Sequence, residues 1–117
     1  MSVKSEKDKR LLEKIVFRCN RIQNSVQKFG LDYDIFLNNA DYQDSVSMNI
    51  LQIGEYAGKL SDNYVKETTD FVDWRAIKGM RNYFAHAYDS MDFDMIWHTV
   101  KFDIPKLKAF CESELKQ

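Results

Sequence analysis

Apolar residues recur at steps of three and four through nearly the whole of this sequence, and that period fits the face of a helix and not the alternation of a strand. Over about residues 4–29 the line is Leu11, Ile15, Cys19, Ile22, Val26 and Phe29, and Gly30 follows as a helix stop. A short connection with Tyr33, Ile35, Phe36 and Leu37 leads to a second line over about 41–60: Tyr42, Val46, Ile50, Ile53, Ala57 and Leu60. Ser61 or Asp62 can cap a shorter helix of one or two turns in the polar stretch 61–72, and Asp73 can cap another from Trp74 with Ile77, Met80 and Phe84 on its apolar side. The last segment, about 92–116, aligns Phe93, Ile96, Val100, Ile104, Leu107, Cys111 and Leu115. Pro105 lies inside it, and its missing N–H predicts a kink or break near Phe102. With only 4 Gly and 1 Pro in 117 residues there is little of the punctuation a sheet-rich fold needs. The expected fold is all-α: an up-and-down helical bundle of four main helices and a short one, as a single domain over residues 1–117.

Composition removes several classes of function. Hydrophobic residues at 44% and aromatics at 14% provide a core, so global disorder is excluded. No stretch approaches the length of a membrane span, and the first ten residues, MSVKSEKDKR, lack the apolar centre of a signal peptide, so a cytoplasmic protein with no membrane partner is expected. Cys19 and Cys111 stand far apart with no metal-ligand spacing, which predicts two reduced, buried thiols and no metal site. No GxGxxG, P-loop, HExxH or GxSxG motif is present, so no cofactor is expected. The net charge of −1 conceals an asymmetry: residues 1–30 carry 8 Lys/Arg against 3 Asp/Glu, and residues 31–70 carry 2 against 8. Such charges are ordinarily solvated helix faces, and the asymmetry alone leans only slightly towards an anionic ligand.

The residues that carry chemistry lie in Arg81–Tyr88, RNYFAHAY. Arginine presents a fork of donors to phosphate, histidine exchanges a proton near neutral pH, and tyrosine donates a hydrogen bond from an apolar ring. At about 100° per residue Arg81 and His86 differ by roughly 140° around a helix, whereas Asn82 shares a face with His86 and Arg81 with Tyr88. Either the helix ends near His86 or the site is assembled from two chains. Trp74, Trp97 and Met80 fit a core better than a substrate platform, and Arg75 and Lys78 are candidates to rim a site and attract an anion, although charges on an exposed helix face usually have no such role.

IGEYAGKLS (Ile53–Ser61) and the run from Val72 to Leu107 resemble the HepT-like proteins of the HEPN superfamily. The shared features are an IGE-centred helix, a W-x-x-I-x-G-M-R-N-x-x-x-H-x-Y core, and a D-x-x-x-[VI]-W…D-[LI]-P-x-L tail. His98, after Trp97, departs from the acidic residue found in many relatives. The resemblance implies an all-helical homodimer with its R-x4-H-x-Y motifs facing across a cleft. It implies the toxin of a type II or type VII toxin–antitoxin pair, acting as a metal-independent ribonuclease. The implied partner is an MntA-like minimal nucleotidyltransferase antitoxin that inactivates the toxin by transferring AMP to the motif tyrosine. On this sequence Arg81 and His86 become the catalytic pair and Tyr88 the AMP acceptor.

Cleaving RNA without a metal needs a base for the 2′-OH, an acid for the leaving 5′ oxygen, and positive charge for the crowded phosphate. The motif supplies one histidine per chain, and His98, twelve residues on, is a poor second, so a two-fold dimer that doubles Arg81 and His86 answers the shortage. Asn82 is expected to orient His86, to contact phosphate or to cap the helix; Glu55 is either a partner that positions Arg81 or His86 or a simple solvated or interhelical ion pair. A non-catalytic adaptor that binds the nucleotidyltransferase or RNA remains the alternative.

Overall fold

The computed structural model describes residues 4–86 and 92–117, positions 84–86 by their backbone alone. Its elements are α1 (Glu6–Phe29), α2 (Tyr33–Leu37), α3 (Ala40–Gly58), α4 (Asp62–Thr68), α5 (Trp74–His86), α6 (Phe93–His98), a π-helical turn (Thr99–Asp103) and α7 (Ile104–Leu115), with no strand among the described residues. The all-α bundle expected from periodicity is therefore present. No helix among the described residues is long and apolar enough to cross a membrane.

Local chemistry sets most helix ends. Ser5 accepts the Asp8 amide at 3.0 Å to start α1, and Gly30 ends it at φ 112°, where a side chain would be strained. Ser61 caps α4 by accepting the Tyr64 amide, and Asp73 accepts the Ala76 amide at 3.0 Å to open α5. The connection after Gly30 is itself helical, which the sequence period did not reveal. Asp32 accepts amides from Asp34 and Ile35 and so nucleates five residues, too few to display a three-four repeat. Phe36 from that turn is fully buried, edge-on to Tyr42 and Phe93 and beside Trp97, at centroid separations of 5.2 to 5.7 Å.

Near Phe102 the chain widens instead of breaking. The Ile104 N–H reaches back five residues to the Thr99 carbonyl, and the extra residue in that turn makes room for the Pro105 ring at the start of α7. The helical path from Phe93 to Leu115 is thereby kept, and Ile96, Val100, Ile104, Leu107 and Cys111 all reach the core.

α1 and α3 form the central pair, α7 packs on α1, and α5 packs on α3. The core runs through Leu12, Ile15, Cys19 and Ile22 of α1, Val46, Ile50 and Ile53 of α3, and the α6–α7 line. Trp74 lies in this core, its indole N–H donating to Thr68 Oγ1 at 2.8 Å, and Trp97 packs among aromatic rings, so both are structural as expected. Cys19 and Cys111 are free and buried, and burial pushes both thiols up, Cys19 to about 12.

Asp8 is a charged group inside this packing, 2% exposed. It accepts the Ser61 amide at 2.9 Å and the Ser61 hydroxyl at 2.6 Å, joining α1 to the start of α4. Burial alone would raise its pKa, but these bonds, with Ser5 and the charge of Lys7, outweigh burial and hold the carboxyl below its ordinary value. A lowered carboxyl stabilises the fold above its unfolded pKa of about 3.9, and that contribution is lost as pH falls through the folded value. Asp8→Asn is expected to cost about 2 kcal/mol near neutral pH. In urea melts the gap to wild type should shrink as pH drops below about 4.

Candidate functional site

Two helices build the site, and the feature that joins them is a glycine. A Cβ placed on Gly54 of α3 would lie 2.8 Å from the Arg81 Cβ and 3.1 Å from both the Arg81 nitrogen and the Ile77 carbonyl oxygen. The backbone of α5 therefore rests directly on Gly54. One residue later, Glu55 points past that contact and its carboxylate takes the Arg81 Nε in an ion pair. Arg81 Nη1 donates to Asn82 Oδ1 at 3.1 Å, so the guanidinium is held on two sides.

Both members of the ion pair remain open to solvent, Arg81 46% and Glu55 34% exposed by side chain. A pair so exposed adds little stability, at most about 1 kcal/mol. Its consequence is orientation: the guanidinium leans on Glu55 and Asn82 at the surface, where its remaining N–H groups can receive an anion. Glu55, read from sequence as either a partner that positions Arg81 or His86 or a simple solvated or interhelical ion pair, forms the interhelical pair, and its partner is Arg81. Asn82 touches Arg81, a contact that sequence reasoning did not name. Lys78 lays its stem 3.6 Å from where a Gly58 Cβ would stand, and Arg75 is exposed on the same helix.

α5 is described as far as His86, the last position before the segment outside the described residues. The helix register puts position 86 one turn beyond Asn82, on the side that also carries Arg75 and Gly79. The His86 side chain and all of Tyr88 lie outside the described residues. Flanking that segment, the Asp92 amide donates to the Tyr83 hydroxyl, joining the last turn of α5 to the residue that caps α6. His98 is on α6, exposed, with its ring centre 4.9 Å from that of Phe102.

On its other side α5 borders an apolar groove of about 530 Å³, lined by Ile77, Met80, Ile53, Phe71, Met95 and Leu107 among others. Phe71 is 76% exposed at its rim. Met80, expected in the core, is half-buried on this groove wall.

The sequence from Leu12 to Glu114 matches the model of a protein family described as ribonuclease HepT-like. The chain belongs to the HepT-like family. Among HepT-like relatives, a "putative RNase" of Methanocaldococcus jannaschii is 34% identical over 91 residues, covering 76% of this chain and 83% of its own. A "probable ribonuclease HepT" of Thermococcus cleftensis is 37% identical over 77 residues, 66% of this chain and 69% of its own. A "putative RNase" of Caldanaerobacter subterraneus is 27% identical over 97 residues, 83% of this chain and 84% of its own. No solved structure gives a significant match.

The glycine of the IGE run is a functional position that the motif pattern alone does not single out. The available signal was a Gly inside a long helix, which costs about 1 kcal/mol against Ala and so marks a close approach. Two glycines make the test. Gly54→Ala should lower the unfolding midpoint, because overpacking costs about 1–3 kcal/mol and exceeds the gain in helix propensity. Gly79→Ala, with nothing within 4 Å of its Cβ, should instead raise stability by up to about 1 kcal/mol. Thermal melts of both variants check the opposite signs.

Proposed function

We propose that residues 1–117 form one HepT-like unit, acting in the cytoplasm as a metal-independent endoribonuclease and as the toxin of a toxin–antitoxin pair. The observation that carries the proposal is the Glu55–Arg81–Asn82 arrangement, which fixes an exposed guanidinium five residues before the motif histidine in a chain of this family. Arg81 would bind the scissile phosphate and stabilise the charge that grows on it. His86 would take the proton of the neighbouring 2′-OH as that oxygen attacks phosphorus, or give a proton to the departing 5′ oxygen. The P–O5′ bond breaks, leaving a 2′,3′-cyclic phosphate and a 5′-OH.

One His86 cannot serve both ends of this reaction at once, so the proposal includes a homodimer that brings two copies into one cleft. The uncovered apolar groove beside α5 supports it, since exposed apolar surface next to polar residues favours association. Regulation is proposed to come from an MntA-like minimal nucleotidyltransferase antitoxin that transfers AMP to Tyr88. An added phosphate and base beside Arg81 and His86 would exclude RNA by charge and bulk.

The test is cleavage of total RNA in excess chelator by wild type, His86→Ala and Arg81→Ala, each checked for oligomeric state. Wild type should cleave and leave cyclic-phosphate ends, and each variant should lose about 100-fold or more in rate while remaining folded. Chelator-sensitive cleavage, 3′-OH ends, or full activity in His86→Ala would contradict the proposal. Inactive wild type of unmodified mass would favour the adaptor.

A further inference from the structure

The basic excess of residues 1–30 has no part in the motif chemistry, and the fold gives it a location. On α1, Lys7, Lys14, Arg21 and Lys28 recur every seven residues, with Arg10 and Arg18 beside them. A seven-residue step brings a helix back to within about 20° of the same side, so these residues make a continuous stripe about 30 Å long. Of the acidic residues of α1, Asp8 is buried, Glu6 pairs with Lys9, and Glu13 flanks the stripe, about 100° round from Lys14 and about 60° from Arg10.

The stripe runs along the edge of α1 that meets α3. Arg18 Nη1 donates to Asn49 Oδ1 at 3.2 Å, and Lys14 Nζ stands 5.7 Å from the centre of the Tyr56 ring. Tyr56 is the neighbour of Glu55, the partner of Arg81. One turn of α3 is therefore engaged from one side by the stripe and from the other by the candidate catalytic arginine. Midway along the stripe Phe17 is 54% exposed, with Arg18 and Arg21 at 5.5 and 5.9 Å from its ring. Across α3 the register of α5 presents Arg75, Lys78 and Asn82 towards the same side as Glu55.

We infer that the α1 stripe is a binding track for the phosphate backbone of single-stranded RNA, leading across α3 to Arg81. The inference rests on the ribonuclease proposal for the identity of the site at its end. The charges match phosphate, and the exposed Phe17 ring between arginines offers a face on which any base can stack, the combination that sequence-tolerant single-strand binding uses. A purely acidic protein partner would have no comparable use for that ring.

The test measures binding of a labelled 2′-O-methyl oligoribonucleotide, which lacks the attacking hydroxyl and is not cleaved, across a salt series. Lys14→Gln/Arg21→Gln changes two exposed residues and leaves the Arg18–Asn49 bond in place. It should weaken binding about tenfold or more at low salt and reduce the salt slope by about 1.4, at about 0.7 per lost phosphate contact. Lys101→Gln/Lys116→Gln removes the same charge from exposed residues outside α1 and should keep the wild-type slope. Wild-type binding by the stripe variant, equal losses in both variants, or wild type that binds poly-glutamate and not the oligonucleotide would each overturn the track. Cleavage of unmodified RNA by the same preparations reads the ribonuclease proposal separately. Cleavage with stripe-independent binding would overturn the track alone, and stripe-dependent binding without cleavage would overturn the nuclease and leave RNA binding.

Discussion

The contact on which the site depends is the backbone approach of α5 to Gly54. Because position 54 has no side chain, α5 settles against α3 closely enough for Arg81 to reach the carboxylate of the next residue. A larger residue there would have to displace α5, since the obstacles are a Cβ, a backbone nitrogen and a carbonyl oxygen, none of which can rotate away. The ion pair follows from the contact and does little to create it, since its exposure makes it weak. The IGE run thus combines a core residue, a space and a charge: Ile53 is 2% exposed, Gly54 admits the neighbour, and Glu55 aims it.

The rest of the bundle keeps α5 in a position where such a contact can matter. Trp74 anchors its first residue in the core through Thr68, while most of the helix beyond is only half-buried or exposed. A helix fixed at one end and along one edge keeps its other sides exposed. One of those sides is the apolar groove with Phe71 and Met95, and the other continues across α3 into the basic edge of α1. The net charge of −1 is uninformative for this reason, since basic residues are concentrated on α1 and acidic ones on the segments after it.

Much of this was legible from residue spacing. The long helices, their caps at Asp73 and Ser61 and the stop at Gly30 all follow from side-chain chemistry within a few residues of each boundary, which is the range sequence reasoning handles well. Three features were not legible. α2 is too short to show a period, and only the Asp32 cap marks it. Pro105 predicts disturbance but not its form, because widening a turn and breaking a helix relieve the same clash. The role of Gly54 depends on what lies across the interface, which no local pattern contains. Arg81 and Glu55 were legible as candidates 26 residues apart, with pairing between them one of the readings, and the choice of Arg81 over His86 or a solvated carboxylate was decided by how α5 lies on α3.

The most direct measurement of the account is the ribonuclease rate of Gly54→Ala at a temperature where it is fully folded and binds RNA as wild type does. If the close approach positions Arg81, a shift of α5 by about 1 Å should cost about 100-fold in cleavage rate with little change in binding. A Gly54→Ala protein that cleaves RNA at the wild-type rate would contradict it.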